Sequence, residues 1–433
     1  MKNKLLLAFV VAAVYACSPA KQLAKSAKEN VIDAPALQTA HVGLSIYEPA
    51  TGRYWYNYQG DKYFVPASNT KLPTCYAAMK HLGDSLVGMR YSIVNDSVII
   101  VKGTADPTFL HPDFKNQPVF NLLKRFKRIV VFSNGFNEYF GSGWTWNDYK
   151  EPYMAQRNEM PIYANLVKFK WNGVNSIEIT PEHSGWKINI SPEDELTQGF
   201  SLFKRWDENF FVLKSGKTKI AEVPFTPDIK TISELIGDTT KSHVEFSTDN
   251  EYFEQKIVWE PIHSQPTDSL LKIMMHRSDN FYAEQSLLMV SNEMLGVMND
   301  EKIIDTLLKT DFKDLPQKPR WADGSGLSRY NLFTPQDFVF ILNKMRTDFG
   351  MERMKNILET GGTGTISNYY KAENGFIFAK TGSLSGVVAL SGYLYTKKNK
   401  LLIFSVQVNN STSSATAVRR AVEKFIEGVR ENF

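Results

Sequence analysis

Strand-like runs of apolar and polar residues stand near both ends of this chain, and apolar residues recur every three to four positions after Pro66, on both sides of Ser278 and in the last segment. His41 to Tyr47 alternates as a half-buried strand, Pro49-Ala50-Thr51-Gly52 reads as a turn, and Arg53 to Tyr58 as the returning strand. The far end matches it. Gly375 to Ala379 is a short apolar run into Lys380-Thr381-Gly382, and Ala389 to Thr396 and Leu401 to Val408 flank the turn Lys397 to Lys400 as a second hairpin. Ala417, Val418, Ala421, Val422, Phe425, Ile426 and Val429 then fall on one helical face. The pattern predicts an antiparallel sheet built from both chain ends, with the last helix lying on it.

A further helix follows Pro66, which cannot sit in a helix interior. Leu72, Cys75, Tyr76, Met79 and Leu82 make its apolar stripe, and Gly83 is placed to end it. From about Gly83 to Glu254 short strands such as Tyr91 to Val94, Ser97 to Val101, Ile129 to Phe132 and Val167 to Trp171 alternate with Gly, Asn and Pro turns, a β-rich insertion. Helical spacing returns at Leu270, Leu271, Met274 and Met275 and again from Phe281 to Leu295. These elements divide the chain into residues 40–84 and 255–433 as one domain and 85–254 as inserted domains, the second nested at about 170–225.

The first residues change the picture of where the chain works. Lys2 and Lys4 precede an apolar stretch, Leu5 to Ala16, too short to span a bilayer, so residues 1–17 read as an export signal. The end, Ala16-Cys17-Ser18, is similar to a lipoprotein cleavage box, which would make Cys17 a lipidated anchor to a membrane; ordinary cleavage after Ala16 is the alternative. Residues 18–39, rich in Ala, Lys and Gln, read as a tether. Cys75, the other cysteine, lies on an apolar stripe and reads as a buried structural thiol. The formal charge of +4 falls to +2 without the two leader lysines, and no Lys/Arg cluster stands out, which argues against nucleic acid as a partner. The seven histidines show no metal-ligand spacing, so no metal is expected.

Candidate chemistry centres on Ser68-Asn69-Thr70-Lys71. A serine and a lysine three residues apart at a helix start share one face, the geometry of a nucleophile with its base. The same spacing recurs at Ser201 and Lys204, but there the polar run Arg205 to Asn209 follows and offers no apolar face to dock. Ser278-Asp279-Asn280 falls between two helices and Lys380-Thr381-Gly382 on a strand.

In this order the three pieces resemble the signature of the penicillin-recognising serine acyltransferases. The 210 residues from Ser68 to Ser278 narrow the resemblance to D-alanyl-D-alanine carboxypeptidase/endopeptidases, the low-molecular-mass class C penicillin-binding proteins with two inserted domains. Gly103 to Thr108, Gly143 to Asp148, His276 to Glu284, Asp323 to Asn331 and Lys380 to Gly392 also match that family. The resemblance implies an α/β (α+β) transpeptidase-like fold shared with β-lactamases, an antiparallel sheet flanked by helices plus an all-helical lobe. It also implies a periplasmic or cell-envelope hydrolase acting on peptidoglycan stem peptides, acylated by β-lactams and without a cofactor. A β-lactamase and a catalytically silent wall-binding protein are the alternatives; the long insertion speaks against the first, and retention of all three motifs against the second.

By that resemblance Ser68 attacks the penultimate D-alanine carbonyl and Lys71 takes its proton, which requires a lysine made less basic by burial and by a second cation such as Lys380. Ser278 relays the proton to the leaving amine and Asn280 holds the substrate amide and Lys71 in place. Ser68 and Ser383 supply oxyanion N–H groups, while Lys380 and Thr381 bind the terminal carboxylate and Gly382 lets the strand approach. Arg329 is read either as a loop brace or as a carboxylate receptor. Asp148 is read either as a contact for a diaminopimelate amine or as a turn cap.

Overall fold

The computed structural model describes residues 19–190, 195–248 and 257–433, so the leader and Cys17 lie outside the described residues. The chain divides into two compact units: residues 1–76, 272–278 and 306–433, and residues 77–271 and 279–305. The expected insertion, 85–254, falls within the second unit. Residues 257–271 and 279–305 fall there too, rather than with the domain containing both chain ends.

The first unit is built on a six-stranded antiparallel sheet. Its strands are β1 (His41–Glu48), β2 (Arg53–Tyr58), β3 (Glu359–Thr360), β4 (Ile377–Leu384), β5 (Val387–Tyr395) and β6 (Leu401–Asn409), in the order β3-β4-β5-β6-β1-β2. His41 pairs with Asn409 and Tyr47 with Ile403, so the two ends of the chain meet in the middle of the sheet.

Alternation along the strands separates two kinds of side chain. Leu44, Ile46, Leu390, Phe404, Val406 and Val408 join Val418, Val422, Phe425, Ile426 and Val429 of the terminal helix Ala415–Asn432 in one core. That helix is capped by Ser414, whose hydroxyl accepts from Ala417 N–H. Helix Pro335–Phe349 also packs on the sheet, and Tyr393 O–H donates to its Leu342 carbonyl at 2.7 Å. Register places Ser391 beside both Lys380 and Ser405.

One expectation fails. The stretch read as a tether is folded: Pro19–Ala27 is helical, continues through a wide turn at Lys28–Ile32, and buries Leu23, Ala27, Val31, Ala34 and Leu37 in the core of the first unit. Leu23, Ala27 and Val31 recur every four residues. Small alanines and intervening lysines conceal this one-sided stripe in the sequence.

In the second unit, strands 243–247, 128–132, 98–102, 85–95 and 260–266 form a mixed sheet in that order. Two three-stranded sheets lie between Leu166 and Pro224. Their Val167, Phe169, Phe211 and Leu213 share one core with Ile99, Val101, Ile129 and Val131 of the large sheet and with Ile232, Leu235 and Ile236 of helix Ile229–Thr240.

Candidate active site

The first unit brings two hydroxyl–lysine pairs together. The first starts where Pro66 ends the extended chain. Ala67 takes a left-handed φ of 48°, one 3₁₀ turn covers Ala67–Thr70, and helix Lys71–His81 follows. Ser68 is half-buried on that turn, Lys71 is fully buried, and Lys71 Nζ donates to Ser68 Oγ at 3.0 Å and to the Ser325 carbonyl at 2.8 Å. Cys75 is buried on this helix and is not in a disulfide.

The 323–331 loop that carries Ser325 is organised by the buried Asp323 carboxylate, which accepts from Gly326 N–H, Ser328 N–H and the Asn331 amide. Gly326 has φ of 83°, and a Cβ there would lie 1.9 Å from the Ala67 carbonyl oxygen, so only glycine lets the loop close on the Ser68 turn.

The second pair joins Lys380 on β4 to Ser278. Lys380 Nζ donates to Ser278 Oγ at 3.0 Å and to the Thr381 carbonyl at 3.0 Å. Burial pushes the Lys380 ammonium down to about 8, opposed by the nearby Glu359 carboxyl. Ser278 itself stands at a left-handed φ of 59°. Beside it on β4, a Cβ on Gly382 would lie 2.5 Å from the Pro66 carbonyl oxygen and 3.1 Å from Ser68 N, so the strand backbone runs directly against the Ser68 turn. Ser383 Oγ accepts from Arg419 at 2.7 Å, and Arg329 donates to the Ser385 carbonyl at 2.8 Å, a bracing contact between two loops.

Asn280 and Asp148 belong to the second unit, and the structure relates them to each other. Asp279 caps helix Asn280–Leu295 by accepting from Tyr282 N–H, and the Asn280 amide donates to the Tyr153 carbonyl at 3.0 Å. The Tyr153 phenol is pushed up to about 12 by burial and by Asp148, which holds a hydrogen bond to it.

Ser201 and Lys204 occupy strand Phe200–Lys204, where residues three apart face opposite sides; Ser201 is exposed and Lys204 buried. Lys204 is thus not the solvated lysine its polar surroundings suggest, and burial lowers it to about 8.

Sequence reasoning misses three residues. Asn69, fully buried, ties the Ser68 turn to the sheet: its amide donates to the Lys380 carbonyl at 2.8 Å, and its oxygen accepts from Ser391 at 2.6 Å and Gln407 at 3.1 Å. Arg419 reaches Ser383 from the terminal helix. Glu359 is a fully buried carboxyl beside Lys380. Its setting in the sequence, between Leu358 and Thr360, gives no signal for it.

Comparison with known proteins agrees with this geometry. The chain matches the D-Ala-D-Ala carboxypeptidase 3 (S13) family over residues 23–198 and 234–429. It is 24% identical to the D-alanyl-D-alanine carboxypeptidase of Actinomadura sp. (strain R39), over 91% of this chain and 82% of that one. Penicillin binding protein 4 (dacB) from Haemophilus influenzae shares its fold with a TM-score of 0.71 at 18% identity, covering 94% of this chain and 98% of that one. The penicillin G-acylated predatory endopeptidase Bd3459 of Bdellovibrio bacteriovorus aligns with a TM-score of 0.51 at 14% identity, over 90% and 92%. With the match extending over most of its length, this chain belongs to the D-Ala-D-Ala carboxypeptidase 3 (S13) family of serine-type hydrolases, the low-molecular-mass class C penicillin-binding proteins.

Proposed function

We propose that this protein hydrolyses the D-alanyl-D-alanine end, or the equivalent cross-link, of peptidoglycan stem peptides through an acyl-enzyme on Ser68, and that β-lactams trap the same serine. The observation that carries the proposal is the buried Lys71 donating to Ser68 Oγ, with the Ser278–Lys380 pair and Gly382 in the same unit.

Ser68 Oγ attacks the penultimate D-alanine carbonyl as Lys71, in its neutral form, takes the hydroxyl proton. The tetrahedral oxygen is met by the N–H groups of Ser68 and Ser383. Collapse breaks the peptide bond, Ser278 passes a proton to the departing D-alanine amine, and water then hydrolyses the Ser68 ester. Lys380 and Thr381 hold the terminal carboxylate, and Asn280 the substrate amide. Asp148 meets the side chain of the third stem residue, and Arg329 fixes the Ser385 loop at the rim. The leader and the Cys17 box support export and lipid anchoring in the cell envelope.

Incubation with a fluorescent penicillin, adduct mapping by mass spectrometry and D-alanine release from a muropeptide test this reading. A stable adduct on Ser68, absent in Ser68→Ala, with D-alanine release is the expected result. Rapid penicillin turnover points instead to a β-lactamase, and failure to label Ser68 removes the acyl-enzyme.

A further inference from the structure

Glu359 is a fully buried acid of the first unit that the reaction above does not use, and two hydroxyls link it to the strand that carries Thr381. Thr365 N–H and Oγ1 both contact the Glu359 carboxyl, and Thr365 Oγ1 lies 2.5 Å from Thr381 Oγ1. The turn that carries Thr365 is shaped around this group: at Gly364, with φ of 50°, a Cβ would stand 2.2 Å from Glu359 Oε2 and 2.8 Å from the His276 carbonyl oxygen. Lys380, on the adjoining strand, is the charged group that acts on Glu359.

The direction of this hydroxyl chain depends on where one proton sits. If Glu359 is ionised it can only accept, so Thr365 O–H points at it and Thr381 O–H points at Thr365. Thr381 then offers a ligand nothing but lone pairs, which repel a carboxylate. If Glu359 is neutral, its O–H donates to Thr365 Oγ1, Thr365 O–H donates to Thr381 Oγ1, and Thr381 O–H is released to donate outward.

We propose that Glu359 is a positioning residue for carboxylate recognition: holding its proton, it orients the Thr365 and Thr381 hydroxyls so that Thr381 donates to the terminal carboxylate of the substrate. Burial pushes the Glu359 carboxyl up, against the pull of Lys380, which supports the neutral form. The inference rests on the proposed role of Thr381 as a carboxylate ligand.

Its test uses the full chain in a Ser68→Ala background, so that binding is measured without turnover. Dissociation constants are compared for a peptide ending in D-Ala-D-Ala and for its C-terminal amide, at pH 6 to keep Lys380 charged. The acid-over-amide preference isolates carboxylate recognition from general damage to the fold.

Glu359→Gln presents an N–H to Thr365 and a carbonyl to its backbone, as the neutral acid does, and is expected to keep the preference within about twofold. Thr365→Val and Glu359→Ala are expected to reduce it roughly tenfold, the effect of one hydrogen bond to a charged group. Loss of the preference in Glu359→Gln, or an unchanged preference in Thr365→Val, overturns the proposal; Thr365→Val decides the matter if Glu359→Ala does not fold. Equal binding of acid and amide by the parent removes the carboxylate reading of Thr381 itself, and this inference with it.

Discussion

Gly382→Ala is the sharpest small perturbation available, because it adds one methyl group where strand and nucleophile turn are already in contact. The new Cβ would lie 2.5 Å from the Pro66 carbonyl oxygen, 3.1 Å from Ser68 N and 3.1 Å from Ala389 Cβ. An ordinary contact is about 3.5 Å, so the strand and the turn must part by roughly 1 Å. Neither side yields easily. Asn69 holds the turn to the Lys380 carbonyl one residue pair away, and Lys380 to Ser383 are paired along β5.

A separation of that size between the Ser68 N–H and the strand would disturb the proposed oxyanion donors and the proposed nucleophile together. Misplacements of about 1 Å cost on the order of 10²-fold in rate. The second-order rate of acylation by a fluorescent penicillin, followed by stopped flow, should fall by roughly that factor. The accompanying loss of stability, from overpacking, is about 1–3 kcal/mol. Acylation at the parental rate, with an unchanged melting temperature, would refute the claim that β4 backs the Ser68 turn.

Lys71→Arg keeps the charge but not a group that can become neutral, so penicillin labelling of Ser68 should vanish; labelling at the parental level would remove Lys71 as the base. Lys380 gives a pH signature. Its folded value of about 8 lies below the ordinary 10.5, so between these values the unfolded chain holds the extra proton and stability rises with pH, by roughly 3 kcal/mol at most. Chemical denaturation of the parent against Lys380→Met from pH 7 to 10 should show a larger gain in the parent, because the buried Lys204, also lowered to about 8, contributes equally to both. Over the same window KM for a D-Ala-D-Ala peptide should rise as the ammonium is lost, and a flat KM would show that Lys380 does not bind the carboxylate. Asn69→Ala removes the amide that bonds the Lys380 carbonyl, Ser391 and Gln407, although Ser391 and Gln407 keep their bonds to Ser405; this should cost about 1–3 kcal/mol and lower the melting temperature together with the acylation rate. Ser201→Ala should leave labelling and D-alanine release unchanged, since Ser201 and Lys204 face opposite sides of their strand.

How much of this was legible in the sequence depends on the range over which each signal acts. Period-two runs at His41 to Glu48 and Leu401 to Asn409 forecast the strands because alternation is local. Their pairing followed because two alternating strands with a helix to cover them have few other solutions, and the fold buries both strands inside the sheet. The folded segment from Pro19 to Leu37 was hidden for the converse reason: its stripe of Leu23, Ala27 and Val31 is short and gains its meaning only when the sheet exists to receive it. Ser68 and Lys71 declare themselves because a helix start fixes their spacing.

The second layer of the site does not declare itself, because its members come together only in the completed fold, whatever their separation in the chain. Asn69 meets Ser391 and Gln407, and Ser278 meets Lys380, only through the register of the completed fold. Glu359 is the extreme case. In the sequence it is an acid between Leu358 and Thr360, unremarkable beside many others. In the fold it is a buried carboxyl six residues from the threonine that contacts it, next to a lysine 21 residues on. A buried acid there is costly unless something nearby compensates it, and what compensates it is also the apparatus around the substrate-facing strand. The same physics that hides such a residue from sequence reading makes it chemically consequential: desolvation leaves its proton under the control of Lys380, Thr365 and Thr381 rather than of the solvent.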